Sequence, residues 1–242
     1  MMDEASQPVV LAFDSAGSAC SVAVAVGDTI LCAERILTVH GQAEALLPMV
    51  DAAMRKAAVP PAGLDLIATT VGPGSFTGIR VGLAAARGIA LATRAQLIGV
   101  TGFEAVAAGL APPNRDRGRF HLITLESRRE DLYVQLFDHL CGPLGEPAAV
   151  MPAVLGVTVN GAIGTARLLI TGDAAQRAAL ALSDRPHTFV LEGGAPDAVG
   201  VLRAALCRWR LRELGDLARP LYLRPPDVTL LPGRQRASLN QS

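Results

Sequence analysis

Lysine is almost missing from this 242-residue chain: Lys56 is the one lysine among 22 basic residues. An equal 22 acidic residues bring the formal net charge to +0. That balance excludes a broad electrostatic footprint for nucleic acid, while leaving room for a local basic patch. Aromatic residues are scarce at 4%, with one Trp and two Tyr. The four cysteines (Cys20, Cys32, Cys141, Cys207) form no CxxC pair, so reduced, buried thiols are expected. The four histidines (His40, His121, His139, His187) make no HxxxH or HExxH spacing, which excludes the usual zinc motifs. No GxSxG elbow occurs, which disfavours an α/β-hydrolase. No run of 18 apolar residues occurs, and the opening MMDEASQPVV carries acids where a signal peptide needs positive charge. A cytoplasmic protein without a membrane partner is the expectation.

What is present suits a packed α/β protein. Half the residues are hydrophobic and 18% are charged, which excludes acidic, low-hydrophobicity disorder. Val9–Phe13 is a continuous apolar run ending at Asp14, the pattern of a buried central strand. Ser21–Val26 and Thr29–Ile36 follow across short turns, predicting an antiparallel meander. From His40 to Ala57 the period turns helical: Ala43, Leu46, Leu47, Val50, Met54 and Ala57 share one face. A second, weaker apolar strip holds Ala45, Met49 and Ala52. Leu64–Val71 predicts the next strand, and Ser75 caps a helix to Thr93. A short strand (Gln96–Val100) and a helix (Gly102–Leu110) complete the first lobe. After the break at 111–118 a similar order returns: strands at Phe120–Leu125, Leu132–Phe137, Arg167–Thr171 and His187–Val190, and helices at Ala174–Leu182 and Asp197–Leu214. Residues 142–166 are Gly/Pro-rich and have no clear period. The expected layout is a first lobe at 1–102, a second at 103–225 and a disordered tail at 226–242.

Gly72-Pro73-Gly74-Ser75-Phe76-Thr77-Gly78-Ile79-Arg80 joins a strand to a helix, where free amides can bind an anion. It is neither a Walker A loop nor GxGxxG, so a tight turn with Ser75 as cap is the simpler reading. Gly78, Gly82, Ala85 and Ile89 then line one helix face. Each interior Gly costs about 1 kcal/mol against Ala, so two in one stripe predict close approach of another backbone. The opposite face carries Phe76, Arg80, Leu83, Arg87 and Leu91. Asp14 suits either a metal-bound water or a cap on the following turn, the cap being commoner. Glu126-Ser127-Arg128-Arg129-Glu130-Asp131 and Asp173 read as solvated turns.

Together Phe13-Asp14-Ser15, His40-Gly41-Gln42 with Leu46-Leu47-Pro48-Met49, and the run from Gly72 to Gly82 resemble the TsaB family. Glu126-Ser127-Arg128-Arg129 stands where that family has Asp-Ala-Arg, followed by Tyr133. Gly172-Asp173 and Tyr222-Leu223-Arg224 also fit. The resemblance is strong in the first lobe and weak in the second. It implies a two-lobed actin-like ATPase (ribonuclease H-like) α/β fold, each lobe a mixed sheet flanked by helices. It further implies a scaffold with no cofactor, metal or catalytic residue of its own, working with a TsaD-like subunit in threonylcarbamoyladenosine modification of tRNA. That subunit would carry the metal-binding histidines and the chemistry, and tRNA would be met only through the complex.

An ATP-dependent phosphotransferase of the same fold is the alternative, and it would need a second phosphate loop that is not evident after residue 160. A metalloprotease lacks ligands altogether. Because two helices each have apolar residues on two faces, Ala45, Met49, Ala52, Phe76, Arg80, Leu83 and Arg87 are expected to form the partner surface. A homodimer would use the same surface when the partner is missing.

Overall fold

The computed structural model describes residues 7–37, 41–110, 118–191, 193–213 and 218–224. The expected tail, and His40 at the head of the first helix, lie outside these residues. Strand β1 (Val9–Asp14) has five of its six residues buried, as its unbroken apolar run requires. Strands β2 (Ala19–Val26) and β3 (Thr29–Leu37) pair antiparallel beside it, while β4 (Leu66–Gly72) and β5 (Gln96–Thr101) add in parallel. The first sheet therefore runs β3-β2-β1-β4-β5. A second five-stranded sheet runs β10-β9-β6-β7-β8. It comprises β6 (Phe120–Glu126), β7 (Leu132–Phe137), β8 (Ala148–Val150), β9 (Leu168–Thr171) and β10 (Thr188–Val190).

Helices α1 (Gln42–Lys56) and α2 (Phe76–Thr93) cover one face of the first sheet. Between them and the sheet lie Leu11, Phe13, Val22, Leu46, Val50 and Ile67. Helix α1 runs through Pro48 without a break, because Pro48 sits on the exposed side. The other face packs against α6 (Ala198–Leu211), which in turn packs on α3 (Gly102–Gly109). Helix α6 follows the second sheet in sequence yet lies on the first, so the chain crosses back and the two lobes do not divide once at residue 102. The second sheet is backed by α4 (Pro152–Ile163) and α5 (Ala175–Ala181).

The unplaced stretch 142–166 turns out to hold β8 and α4. Helix α4 starts with Pro152 in its first turn and carries no charged residue, and Val154 and Val157 stay exposed. With apolar residues all round and two internal glycines it lacks the contrast between faces that reveals a helix in sequence. Of the four cysteines, all free, Cys20 is buried but Cys207 is exposed on α6, correcting the expectation of uniformly buried thiols.

Helices α3 and α6 meet backbone to backbone. A methyl group added at Gly200 would lie 2.3 Å from the Ala105 carbonyl oxygen, so only glycine fits. Gly200→Ala is expected to lower stability by about 1–3 kcal/mol through overpacking. Urea unfolding followed by the fluorescence of Trp209, which packs on the same core, measures it.

Candidate functional site

Between the two sheets lies a cleft of about 520 Å³, lined by the β1–β2 loop, the β4–α2 loop, the β6–β7 turn and Asp173. Asp14 closes its floor, only 1% exposed. One carboxylate oxygen accepts a hydrogen bond from the Ala16 amide at 3.1 Å, the turn cap that the sequence favoured. Burial pushes its carboxyl up to about 6, against the opposing pull of its hydrogen bonds. Across the cleft, Asp173 accepts from the Glu126 amide at 2.9 Å. Shielding from solvent, followed by the Glu126 carboxylate, raises its pKa above the usual range, the amide bond opposing them.

The β4–α2 loop is shaped for an anion but filled by its own chain. The Ser75 amide donates to the Ala16 carbonyl at 2.7 Å, and the Ser75 hydroxyl accepts from the Gly78 amide at 3.3 Å. Ser15 Oγ donates to the Gly78 carbonyl at 2.9 Å. A methyl group at Gly78 would sit 2.0 Å from the Ser15 carbonyl oxygen, and one at Gly74 2.4 Å from that of Ala16. The close backbone approach expected from the glycine stripe is thus found at Gly78. The amide of the Ser75 cap, just ahead of α2, is committed to the β1–β2 loop.

The charged turn of the second lobe is exposed at Arg128, Arg129 and Glu130, as expected of a solvated hairpin, but not at Asp131. Asp131 is 1% exposed and ion-paired to Arg224, and Ser127 Oγ lies 2.7 Å from both the Asp131 carboxylate and its carbonyl. Arg177 spans Glu126 (2.6 Å) and the carbonyls of Arg129 and Glu130 (2.9 Å each). His121 is buried, its Nδ1 3.0 Å from the Asp138 carbonyl oxygen. Among the described residues no three of His, Cys, Asp and Glu gather as a metal-ligand set.

A second feature is an apolar groove of about 750 Å³ between α1 and α2. Ala43, Leu47, Val50 and Met54 line one wall, and Val81, Ala84, Ala85, Gly88, Ile89 and Ala92 the other. Leu47 is 54% exposed, and nothing lies within 4 Å of a methyl group placed at Gly88. Ala43, Leu47, Val50 and Met54 belong to the main apolar stripe read for α1 and Ala85 and Ile89 to the glycine stripe of α2, while Val81, Ala84, Gly88 and Ala92 were in neither.

The expected partner residues divide differently. Met49 and Leu83 are buried in the chain's own core, and Ala45 and Ala52 are half-buried, which corrects the view that these faces are left over. Helix α1 turns Leu46, Met49, Val50 and Ala53 inward, so the strip read as weaker is part of the true core face. On α2 the C-terminal segment 218–224 covers the opposite face. Ala218 and Leu221 pack on Leu83, Arg87 donates to the Ala218 carbonyl at 2.7 Å, and Tyr222 leans on Phe76 with ring centres 5.3 Å apart. The sequence held one signal of this strap, the Tyr222-Leu223-Arg224 motif, but not what it covers.

The sequence matches the family described as TsaD: tRNA N6-adenosine threonylcarbamoyltransferase over residues 37–149. It is 35% identical over 100 residues to the tRNA threonylcarbamoyladenosine biosynthesis protein TsaB of Escherichia coli, covering 41% of this chain and 43% of that protein. It is 31% identical over 149 residues to a tRNA N6-adenosine threonylcarbamoyltransferase of Erythrobacter litoralis, covering 57% of this chain and 43% of that protein. A Pseudomonas aeruginosa protein with similarity to peptidase YEAZ superposes with a TM-score of 0.73 at 23% identity, over 90% of this chain and all of that one. The chain is therefore similar both to TsaB and to the threonylcarbamoyltransferase TsaD.

The matches thus span under half the length of the two curated relatives. A ROK hexokinase of Thermus thermophilus superposes with a TM-score of 0.51 at 15% identity, over 84% of this chain and 99% of that one. The two-lobed actin-like fold expected for the TsaB family is therefore present.

Asp14 gives the cleft a pH signature. Its pKa is higher folded than unfolded, so its contribution is complete below about pH 4 and is lost as pH rises through about 6. Asp14→Asn keeps an oxygen for the Ala16 amide and removes the buried charge. The stability difference between variant and parent is expected to move by about 2 kcal/mol in the variant's favour between about pH 4 and pH 8. Urea titrations of both proteins across that range check it, and a constant difference would contradict the assignment.

Proposed function

We propose that this chain is a member of the TsaB family and acts in threonylcarbamoyladenosine modification of tRNA as a non-catalytic scaffold for a TsaD-like subunit. The observation that carries the reading is the groove between α1 and α2. A folded chain that leaves Leu47, Ala84, Gly88 and Ala92 open to solvent side by side invites a partner. Small residues on the α2 wall let a partner's backbone come close, and a pair of helices from a related subunit would fill the groove. A second copy can occupy it when that subunit is missing. Two further observations support a role without chemistry of its own. At the head of α2 the Ser75 amide is bonded to the Ala16 carbonyl and the Gly78 amide to the Ser75 hydroxyl, so two amides of the anion-shaped loop are already used, which speaks against the phosphotransferase alternative. The cleft carboxylates are capped by backbone amides or paired with arginine rather than gathered around an open position.

The partner surface therefore differs from the set read in the sequence. Ala45 and Ala52 lie on the far side of α1 from the groove wall, Met49 and Leu83 belong to the core, and Phe76, Arg80 and Arg87 lie on another side of α2.

A charge at the centre of the groove separates docking from folding. Leu47→Glu and Gly88→Glu are expected to leave circular dichroism and the unfolding midpoint close to the parent. Capture of a TsaD-like subunit should weaken by at least about ten-fold, because each carboxylate would be buried unpaired. Reconstituted modification of tRNA, with that subunit and an enzyme supplying the activated threonylcarbamoyl group, should fall in step. Modification by this chain alone, or unimpaired capture by both variants, would overturn the proposal.

A further inference from the structure

On α2 the face carrying Phe76, Arg80 and Arg87 lies about 120° around the helix from the groove wall, at 100° per residue. Arg80 places its guanidinium 3.7 Å from the centre of the Phe76 ring, and Tyr222 leans on that ring at 33°. Both rings remain open to solvent, Phe76 at 39% and Tyr222 at 40%. Phe76 is sandwiched by Arg80 and Tyr222, so the ring surface left open to a flat ligand is that of Tyr222.

The charges around them point the same way. No acidic residue occurs between Asp65 and Glu104, a stretch that carries Arg80, Arg87 and Arg94, and none occurs in 218–224, which carries Arg219 and Arg224. Arg80, Arg87 and Arg219 are exposed. Arg224 pairs with the buried Asp131 and ties the strap to the β6–β7 turn, where Arg128 is exposed beside the cleft. The molecule as a whole is neutral, yet Arg80, Arg87 and Arg219 give this face exposed positive charge, Glu130 being the exposed acid of the neighbouring β6–β7 turn.

We propose that the α2–strap face binds an unpaired segment of RNA, a base stacking on the open side of Tyr222, which Phe76 backs, while Arg80 and Arg87 meet the backbone phosphates. Exposed rings interleaved with arginine suit single-stranded nucleic acid, because every base has a flat face and every nucleotide a phosphate. An acidic protein surface would need the arginines but would have no use for the two rings. The inference rests on the reading that this chain serves tRNA modification, and it replaces the expectation that RNA is met only through the partner. The groove stays free for that partner, since the two faces do not overlap.

Fluorescence anisotropy with the full chain tests it, using a labelled RNA hairpin with an unpaired loop, a blunt RNA duplex and a polyglutamate peptide. The hairpin is expected to bind at least about ten-fold more tightly than the duplex, and the affinity should fall with salt. Tyr222→Ala should weaken hairpin binding about ten-fold or more, and Tyr222→Phe should restore it. Arg80→Gln, which leaves the strap's hydrogen bonds in place, should lower the salt slope by about 0.7, the share of one single-strand phosphate contact. Circular dichroism confirms folding of each variant, and capture of the TsaD-like subunit should be unchanged in all three. Hairpin binding equal to duplex or peptide binding, or variants that bind as the parent does, would overturn the proposal. A parent that binds the hairpin but captures no TsaD-like subunit would leave RNA binding standing and refute the scaffold reading instead.

Discussion

The contact on which the rest of the first lobe depends is the seating of the α2 head against the β1–β2 loop. Ser15 and Ala16 press their carbonyls where a side chain at Gly78 or Gly74 would otherwise stand, and the Ser75 amide is bonded to one of them. Glycine is required there by lack of space, not by an unusual φ at either position, since neither lies in the left-handed region. Three consequences follow from this one fit. Helix α2 is fixed in its roll over the sheet, the anion-shaped loop is closed by the chain itself, and Asp14 is sealed beneath with its raised pKa.

Fixing the roll of α2 sets what each of its sides can do. The side toward β4 carries Ile79 and Leu83 into the core. The side toward α1 presents Ala84, Gly88 and Ala92, too small to fill the space, and so leaves the groove. The third side presents Phe76, Arg80 and Arg87 to the strap. Because the strap bonds to Val71 and Arg87 in the first lobe and through Arg224 to Asp131 in the second, it bridges the two sheets at their cleft. A single helix thus has a core face, an unfilled face and a cationic aromatic face.

Most of the element order was legible because the strands are short apolar runs between turn residues and α2 starts at a Ser cap. The faces were less legible. Helix α1 has two apolar strips, and periodicity alone does not tell which one meets the sheet. Leu46, Met49, Val50 and Ala53 do, while Leu47, grouped by spacing with the core, points out. On α2 the residues opposite the glycine stripe looked uncovered because their cover is supplied by a segment well over a hundred positions away, and no local pattern carries that distance. The same limit hid Asp131: a carboxylate in a charged turn reads as solvated until a distant Arg224 is brought onto it. Helix α4 was missed for the opposite reason, having apolar residues on its exposed side as well as its buried one.

Net charge was the least informative number in the sequence, and the reason is spatial. Twenty-two basic and 22 acidic residues cancel in the sum, but between β4 and α3 the chain carries arginine alone, and the last described segment does the same. Both segments meet on one face. At physiological ionic strength the screening length is about 8 Å, so a patch of this size is felt by a ligand at contact largely without the acids elsewhere on the molecule. Arginine rather than lysine matters here, since a guanidinium can lie flat on Phe76 and still offer its edge to a phosphate. The cation and the ring are therefore ordered together before any ligand arrives. Binding to such a prearranged face gives up less side-chain freedom than binding to a loose array of charges, and that difference favours the stacked face over other exposed arginines of the same chain.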